Sequence, residues 1–317
     1  MTGWNATNIP DQGGRTAVVT GANSGIGYVT ARELARRGAA VTLACRSAAR
    51  GRAAVIRLRG EVPGAEVEFA PLDLADLSSV REFARAFGQR SPRLDLLVNN
   101  AGVMALPYGR TADGFETQFG VNHLGHFALT GLLLPRLRAA GPGARIVNVS
   151  SGFHVLGDVR PEDLDPDPDP ARGADGYRRW IAYGRSKSAN LLFTHELARR
   201  FTAAGATITA AAAHPGYAST NLHAGASAQE GSTLASRVMA LGNGVLAQPA
   251  ASGALPTLYA ATAPGVAQDA FFGPRLGWRG APVPSWRARR TLDDTAAERL
   301  WAASEKLTGV SYASLPR

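Results

Sequence analysis

One stretch near the amino terminus decides the fold: residues 15–37 read RTAVVTGANSGIGYVTARELARR. The short apolar run at residues 16–20 predicts a buried strand, and apolar residues at helical spacing over residues 28–37 predict a helix. Between them lies a glycine-rich turn, TGANSGIG, at residues 20–27. Strand, glycine-rich turn and helix in direct succession are typical of a unit that binds nucleotide phosphates at the start of the helix.

The three glycines of this turn have separate tasks. Gly21 permits the tight turn, Gly25 lets the backbone approach a pyrophosphate, and Gly27 lets helix and strand pack closely. Their Gly-x-x-x-Gly-x-Gly spacing differs from the Gly-x-Gly-x-x-Gly of the larger dinucleotide-binding proteins, and a glycine-rich turn without a ligand is the alternative. The predicted cofactor contacts of the turn are Gly21, Asn23, Ser24, Gly25, Ile26 and Gly27.

Along the rest of the chain, short runs rich in valine, leucine and isoleucine alternate with longer segments of helical periodicity. Such alternation is typical of a parallel sheet covered by helices on both faces. Strands are predicted at residues 16–20, 40–44, 67–71, 94–98, 145–149 and 207–212, with a last one near 270–273. Helices are predicted at residues 28–37, 77–88, 115–134 and 183–201. With right-handed crossovers, this pattern predicts an α/β, doubly wound Rossmann fold of about seven strands.

We expect the chain, residues 1–317, to form a single domain, because sheets of this type often exceed 250 residues as one unit. Its cofactor-binding half spans about residues 14–150, and its catalytic and substrate-lid half about 151–317. Two stretches depart from the alternation of strands and helices. Residues 161–176 are acidic and rich in proline and predict a surface loop, whereas residues 224–264 follow the sixth strand, where a lid over a ligand cleft would lie.

Composition narrows the class of protein. The chain has 45% hydrophobic residues and a formal net charge of +9, which suits a globular protein and argues against disorder. Because arginine is spread along the whole chain, a solvated basic surface is favoured over a nucleic-acid interface. Lys187 and Lys306 are the only lysines, so a chemical role for one of them is suggested. The single cysteine, Cys45, fits a reducing compartment and is expected to be inert in a buried strand.

Charged residues after the second and third strands suggest which dinucleotide binds. Arg46 follows the second strand, where an acidic residue would bind the adenosine ribose of NAD. A guanidinium there pairs with the 2′-phosphate of NADP, and Arg50 supplies a second contact, unless Arg46 merely faces solvent. Asp73, followed by Leu74 after the third strand, is placed to accept from the adenine amino group, with a helix N-cap as the alternative role. NADP(H) is therefore the predicted cofactor, with Arg46, Asp73 and Leu74 at its adenosine end.

Five polar residues, two of them alternatives for one role, point to proton transfer. Tyr183 and Lys187 are four residues apart on a predicted helix and share one face, where an ammonium favours the phenolate of a tyrosine; an ordinary surface pair is the alternative. Ser150 and Ser151 end the fifth strand, at the carboxyl edge of the sheet, and one of them bonds the substrate oxygen. Asn122, in the helix before that strand, holds a water that links Lys187 to solvent, unless it only packs the helix.

The turn at residues 99–102, NNAG, follows the fourth strand and is expected to lie beneath the cofactor, with Asn99, Ala101 and Gly102 as contacts. Tyr177 is not expected to be catalytic, because no lysine follows it at helical spacing. No metal site is predicted, since the nearby histidines of VNHLGHF have no third ligand in reach by sequence.

In this order, TGANSGIG, NNAG, VNHLGHF, VSS and YGRSK make residues 15–273 resemble the short-chain dehydrogenase/reductase superfamily. LACRS, SKSANLLFTHELARRF and HPGYAST look like the retinol dehydrogenase-like branch. The resemblance implies hydride transfer at nicotinamide C4 and a catalytic set formed by Asn122, Ser151, Tyr183 and Lys187. It further implies that Tyr183, Lys187, Pro215, Gly216 and Thr220 contact the cofactor.

The expected function is that of an NADP-dependent oxidoreductase, of ketoreductase or alcohol dehydrogenase type, which interconverts a carbonyl and an alcohol on a small apolar substrate with Tyr183 as general acid/base. A catalytically silent NADP(H)-sensing or scaffolding protein of the same fold is the alternative. The long gap between Ser151 and Tyr183 leaves the pocket shape open, with residues 153–180 as its expected wall. Protochlorophyllide reductases share the fold, but they use a reactive cysteine that Cys45 does not supply.

The amino terminus lacks the pattern of a signal peptide, and no apolar run reaches the length of a membrane span. We therefore expect a cytoplasmic protein with a small-molecule substrate and with neither membrane nor nucleic acid as partner. Association into a homo-oligomer is left open.

Overall fold

The computed structural model describes residues 3–160, 176–216, 248–313 and 315. Their strands form one sheet in the order β3-β2-β1-β4-β5-β6-β7-β8. Strands β1 to β7 are parallel, and β8 pairs with β7 in the antiparallel sense. The strands are β1 (Thr16–Thr20), β2 (Ala40–Cys45), β3 (Val67–Pro71), β4 (Leu96–Asn99), β5 (Arg145–Val149), β6 (Thr209–Ala213), β7 (Phe271–Pro274) and β8 (Pro282–Pro284).

Helices cover both faces of this sheet. They are α1 (Gly25–Arg36), α2 (Ala48–Glu61), α3 (Leu77–Arg90), α4 (Thr117–Phe119), α5 (Gly125–Ala140), α6 (Arg179–Ala203), α7 (Ala250–Gly253), α8 (Leu255–Thr262) and α9 (Asp294–Thr308). The predicted doubly wound α/β fold is confirmed, and all seven predicted strands are present within about two residues of their predicted bounds. The antiparallel strand β8 and the helices α2 and α9 were not predicted.

The helix predicted over residues 115–134 is interrupted. One α-helical turn, α4, leads into a π-helical stretch, Gly120–Leu124, and only then does α5 begin. In this stretch the Gly125 N–H donates to the Gly120 carbonyl, five residues back. A π-turn inside a helix is frequent at functional sites, because it shifts the register of the side chains and carbonyls around it. Asn122 lies in the middle of this turn.

Apolar side chains fill both sides of the sheet. Phe87, Phe127 and Phe201 belong to a cluster under α3, α5 and α6, and Leu34 and Leu58 belong to one under α1 and α2. Helix α9 closes the first cluster by packing on α5 and α6. The sheet is therefore buried on both faces, which leaves its carboxyl edge as the surface for ligands.

Part of the predicted lid is core instead. Of residues 224–264, those up to 247 lie outside the described residues, but the rest form α7 and α8. Ala254 and Leu258 are fully buried in the cluster with α1, and Ala260 and Ala261 pack against β5, β6 and β7. The lid prediction is wrong for this part, because its small apolar residues fit against the sheet. Of the predicted loop at residues 161–176, all but the last residue lie outside the described residues.

The helices that the structure describes include none with the length and apolar character needed to cross a bilayer.

Candidate active site

A cleft of about 460 Å³ lies at the carboxyl edge of the sheet. It adjoins the place where β1 has β2 on one side and β4 on the other, which is the point of an open α/β sheet where ligands collect. Of the predicted site residues, the cleft is lined by Gly21, Asn23, Ser24, Gly25, Ile26, Gly27, Arg46, Asp73, Leu74, Ala101, Gly102, Tyr183, Lys187 and Pro215. Residues from both halves of the chain therefore meet in one site.

The glycine-rich turn has the geometry of a phosphate-binding turn. Gly21 and Gly25 have φ angles of +67° and +57°, which a residue with a side chain rarely adopts. A Cβ atom on Gly27 would lie 2.7 Å from the Gly21 carbonyl oxygen, so only glycine lets α1 approach β1 this closely. Ser24 is the N-cap of α1, but its side chain makes no capping hydrogen bond. Since no side chain caps them, the first N–H groups of α1 are available to an anion in the cleft.

At the adenosine end, Arg46 and Asp73 form an ion pair at the rim of the cleft, with 3.9 Å between Arg46 Nε and Asp73 Oδ2. Arg50 also lines the cleft, in the first turn of α2. The alternative role of Asp73 as a helix N-cap is wrong, because Asp76 caps α3 by accepting from the Ser78 and Ser79 N–H groups. Asp73 Oδ1 instead accepts from the N–H of a neighbouring loop residue.

The floor of the cleft is fixed by Thr20 and Asn100. Thr20 Oγ1 accepts from the Asn100 and Ala101 N–H groups at 2.9 Å each, and Asn100 Nδ2 donates to the Thr20 carbonyl at 2.8 Å. Asn100 lines the cleft although it was not predicted as a contact. Asn99 was predicted, but the structure does not bring its side chain to the cleft: Nδ2 donates to Asn148 Oδ1 at 2.8 Å inside the sheet.

Tyr183 and Lys187 project from α6 into the cleft. Lys187 Nζ donates to the Val149 carbonyl at 3.0 Å and lies 5.8 Å from the centre of the Tyr183 ring. Ser151 follows β5 and forms a hydrogen bond with the Tyr183 hydroxyl. Ser150 Oγ donates to the Lys187 carbonyl at 2.8 Å and is therefore engaged with the helix backbone. Ser151, as the resemblance implies, is the serine beside Tyr183.

Asn122 lies behind this group rather than on the cleft surface. Its Oδ1 accepts from the Val103 N–H at 2.8 Å, and its Nδ2 donates to the Val103 carbonyl and to Ser186 Oγ, both at 2.9 Å. A Cβ atom on Gly102 would lie 3.1 Å from Asn122 Oδ1 and 3.3 Å from Lys187 Nζ. The side chain of Asn122 is thus fully occupied by protein partners, and its backbone carbonyl lies 3.1 Å from His126 Nδ1.

Burial sets the charge states of the pair. It raises the pKa of Tyr183 to about 12, against a hydrogen bond from Ser151 that favours the phenolate, and it lowers the pKa of Lys187 to about 8. The net shift is opposite to the lowering that the sequence predicts, because loss of solvation outweighs the other influences on the pKa of the phenol. Tyr183 is therefore a phenol, and hence a proton donor, at neutral pH.

Further predicted residues occupy distinct places. Gly216 has a φ angle of +68° and donates its N–H to His214 Nδ1 at 3.2 Å, next to Pro215 at the cleft. Thr220 lies outside the described residues. Cys45 is buried, which raises the pKa of its thiol to about 11 and makes it a poor nucleophile.

Tyr177 and the two neighbouring histidines have other partners. The Tyr177 hydroxyl donates to Glu116 and accepts from Gln118, both at 2.6 Å, and burial raises its pKa. His123 forms a hydrogen bond with Ser304, whereas His126 forms hydrogen bonds with Thr20 and the Asn122 carbonyl. The two rings therefore have different partners. In the part of the chain that the structure describes, no three histidine, cysteine or acidic side chains are grouped as metal ligands would be.

An aromatic group borders Tyr183 on its outer side. The ring centres of Phe153 and Trp180 are 5.2 Å apart, and those of Trp180 and Tyr183 are 6.5 Å apart. Phe153 and Trp180 are 37% and 39% exposed, which is unusual for such large apolar side chains. Met104 and Ala105 form a buried apolar cluster with Tyr183. The surroundings of the phenol are therefore largely apolar.

Comparisons with known proteins agree with this geometry. Residues 15–158 match the family model described as short chain dehydrogenase. Human retinol dehydrogenase 13 is 43% identical over 307 residues, which cover 95% of this chain and 87% of that protein. A crystal structure of a Mycobacterium paratuberculosis protein has 47% identity and a TM-score of 0.79, covering 98% of this chain and 99% of that one.

A Pseudomonas aeruginosa protein, RhlG, was solved as an active-site complex with NADP. It is 26% identical to this chain, with a TM-score of 0.62, over 83% of this chain and 95% of its own. By family model, sequence identity and fold, this chain belongs to the short-chain dehydrogenase/reductase superfamily, in its retinol dehydrogenase-like branch.

Proposed function

We propose that this protein is an NADP(H)-dependent oxidoreductase that interconverts a carbonyl and an alcohol on a small apolar substrate, with Tyr183 as general acid/base. One observation carries the proposal: the Tyr183 phenol, bonded to Ser151 and close to Lys187, opens into the same cleft as the glycine-rich turn. A cleft that contains both a phenol and a phosphate-binding turn can bind a dinucleotide and transfer a proton at the same site.

The residues at the cleft fit NADP(H). The uncapped start of α1 suits the pyrophosphate, and Arg46 with Arg50 gives the adenosine end the positive charge that a 2′-phosphate requires. An NAD-binding site would carry an acidic residue in the place of Arg46. The NADP complex of the related RhlG protein supports the same assignment.

The proposed mechanism assigns one task to each side chain. Held by the glycine-rich turn, Arg46 and Arg50, a bound dinucleotide would supply the hydride for reduction of the carbonyl and would accept it in the reverse direction. Tyr183, protonated at neutral pH because of its raised pKa, donates its proton to the carbonyl oxygen. Ser151 donates a hydrogen bond to the same oxygen, and the Lys187 ammonium stabilises the phenolate that the proton leaves on Tyr183.

An apolar substrate is supported by the group around the phenol. Phe153 and Trp180 offer large, exposed apolar surfaces beside Tyr183, and Met104 and Leu106 line the cleft. In this part of the cleft a charged substrate group would lose its hydration, which is costly without a partner.

Transfer of deuterium tests the reaction directly. The protein is incubated with NADPH deuterated at nicotinamide C4, in separate samples for each face of the ring, together with a panel of apolar aldehydes and ketones. We expect one of the two labelled forms to deliver deuterium to the carbinol carbon, detected by mass spectrometry. Tight NADPH binding without labelled product across the panel would contradict the proposal and favour the silent sensing or scaffolding alternative.

A further inference from the structure

We infer that His126 is a positioning residue that connects the turn beneath the cofactor, through Thr20, to the backbone of Asn122, whose side chain holds the segment of α6 that carries Tyr183 and Lys187. The expected effect of His126 on the reaction rate rests on the proposed function. Its expected effect on the cofactor turn can be measured by NADPH binding alone. Neither the composition nor the motif pattern of the sequence assigns a task to this histidine.

His126 lies in the first turn of α5, directly after the π-helical stretch, and is almost fully buried. Its Nδ1 atom is 3.1 Å from the Asn122 carbonyl oxygen, and its Nε2 atom is 3.0 Å from Thr20 Oγ1. The ring therefore bridges β1, which begins the cofactor site, and the π-turn, which holds Asn122. Both ring nitrogens are used, and neither contact is to solvent.

The partners determine the tautomer. A carbonyl oxygen only accepts, so Nδ1 carries the hydrogen that it donates to Asn122. Burial lowers the pKa of His126 to about 4, which keeps the ring neutral at pH 7. Nε2 is then an acceptor, and the Thr20 hydroxyl donates to it rather than to the Val98 carbonyl, which is more distant at 3.4 Å.

With its hydrogen directed at His126, Thr20 Oγ1 presents its lone pairs to the Asn100 and Ala101 N–H groups. Those two groups form the turn on which the cofactor is proposed to lie, and Asn100 also reaches the Thr20 carbonyl. The hydrogen bonds thus run in one direction, from the turn to Thr20, from Thr20 to His126 and from His126 to Asn122. A neutral ring in the Nδ1–H tautomer is the only form that satisfies every bond.

The side chain of Asn122 connects these hydrogen bonds to the helix segment that carries Tyr183 and Lys187. Its side chain holds the Val103 backbone and Ser186 Oγ, and Ser186 precedes Lys187 on α6. Ser186 Oγ in turn donates to the Tyr183 carbonyl at 2.7 Å. A displacement of the Asn122 backbone therefore reaches the segment that carries both Tyr183 and Lys187.

His123 provides a matched control from the same segment. It is equally buried and neutral, since burial lowers its pKa to about 3, but its Nε2 bonds Ser304 of α9 and not the cofactor turn. Replacing either histidine removes a buried ring, so a general loss of packing affects both. Only His126 joins Thr20 to Asn122.

Two replacements separate the two bonds of His126. His126→Asn keeps an amide donor near the Nδ1 position and loses the acceptor for Thr20, whereas His126→Gln keeps an acceptor near Nε2 and loses the donor to Asn122. We expect His126→Asn to weaken NADPH binding about fivefold or more, and His126→Gln to lower kcat about tenfold with little change in the Kd for NADPH. His123→Asn lowers the melting temperature but leaves both quantities unchanged.

The measurements are NADPH titration by fluorescence, steady-state rates, thermal unfolding, and ¹⁵N NMR of the histidine side chains in the full-length protein. NMR is expected to find His126 as the Nδ1–H tautomer, with an Nε2 signal that shifts on NADPH binding and changes in Thr20→Val but not in Thr20→Ser. If the wild type binds NADPH but turns nothing over, the proposed reaction fails while the binding and NMR results still decide the connection. The inference is overturned if His126 has the other tautomer, or if both His126 variants match His123→Asn in NADPH affinity and rate.

Discussion

Arg46 and Asp73 face each other across the adenosine end of the cleft, with 3.9 Å between Arg46 Nε and Asp73 Oδ2. The Arg46 side chain is 69% exposed, and an ion pair in that setting contributes little to stability. A phosphate with two charges is a stronger partner for a guanidinium than a solvated carboxylate. Arg46 can therefore turn from Asp73 to the 2′-phosphate of NADP at small cost.

Replacement of Arg46 is expected to change the choice of cofactor. Arg46→Asp removes the positive charge and restores an acceptor for ribose hydroxyls, so NADH should bind more tightly than NADPH, the reverse of the unaltered protein. Fluorescence titration of both cofactors measures the change. Arg52→Asp, on the following helix α2 and not part of the cleft lining, is the control and should keep the preference for NADPH. Equal affinities for the two cofactors in the unaltered protein would contradict the assignment.

A pair of tyrosine variants tests the proton donor. Tyr183→Phe should reduce kcat to less than about a tenth of its value, which corresponds to an activation barrier higher by more than roughly 1.4 kcal/mol. NADPH binding should stay nearly intact. Tyr177→Phe is the matched control, because its hydroxyl bonds Glu116 and Gln118 and is not part of the cleft lining. Initial rates and NADPH titrations give both values. A Tyr183→Phe protein that retained more activity than this would require another proton donor, and Tyr177 would be the first to examine.

The pKa values of the buried pair predict how the reduction rate depends on pH. Tyr183, with a pKa of about 12, stays protonated through the accessible range, whereas Lys187 loses its charge as the pH rises through about 8. If the ammonium stabilises the Tyr183 phenolate, as the proposed mechanism requires, kcat/KM for carbonyl reduction should be constant below pH 7 and fall above pH 8. The pH profile from 6 to 10 measures this limb.

Lys187→Arg provides the control for that limb. Arginine keeps its charge to pH values above 12, so the fall should move beyond the measured range, although the wide planar guanidinium should lower the rate at every pH. A fall at the same pH in both proteins would show that another group is responsible.

The aromatic border is expected to select substrates by size. Trp180→Ala removes a ring that packs against Phe153 and Tyr183 and should raise KM for bulky apolar carbonyls several-fold, because contact area with the substrate is lost. The kcat for a small aldehyde should change little, since Tyr183 and Ser151 are untouched. Steady-state rates on a small and a large substrate give the comparison. Loss of activity on both substrates to the same degree would show that Trp180 acts on Tyr183 and not on substrate choice.

Most of the sheet could be predicted from the sequence because buried parallel strands are nearly continuous apolar runs, as in residues 145–149. Helix α2 was missed for a local reason. Its buried face consists of Gly51, Ala54, Val55 and Leu58 among many arginines, so its apolar periodicity is weak. A Cβ on Gly51 would lie within 2.5 Å of the Phe69 ring, which explains a glycine in a helix by a contact that sequence does not reveal.

Site residues could be predicted where a motif fixes both the residue and the direction of its side chain. The prediction was poorer where the direction of the side chain depends on its position along a strand. Asn99 and Asn100 are adjacent, and their side chains take opposite directions at the end of β4. A one-residue difference thus decides which of them lines the cleft, and the sequence alone does not supply it. The bridge formed by His126 joins residues more than 100 positions apart in sequence, and its bonds follow only from the packing of β1 against α5.

The central claim is that Tyr183 donates the proton in an NADPH-dependent reduction of an apolar carbonyl. The most direct test follows NADPH absorbance over a panel of aldehydes, ketones and alcohols, for the unaltered protein and for Tyr183→Phe side by side. The account predicts that NADPH is consumed with at least one apolar carbonyl, and that Tyr183→Phe binds NADPH with similar affinity but loses this turnover. It would be contradicted if both proteins consumed NADPH at the same rate, or if neither turned over any compound while binding NADPH tightly.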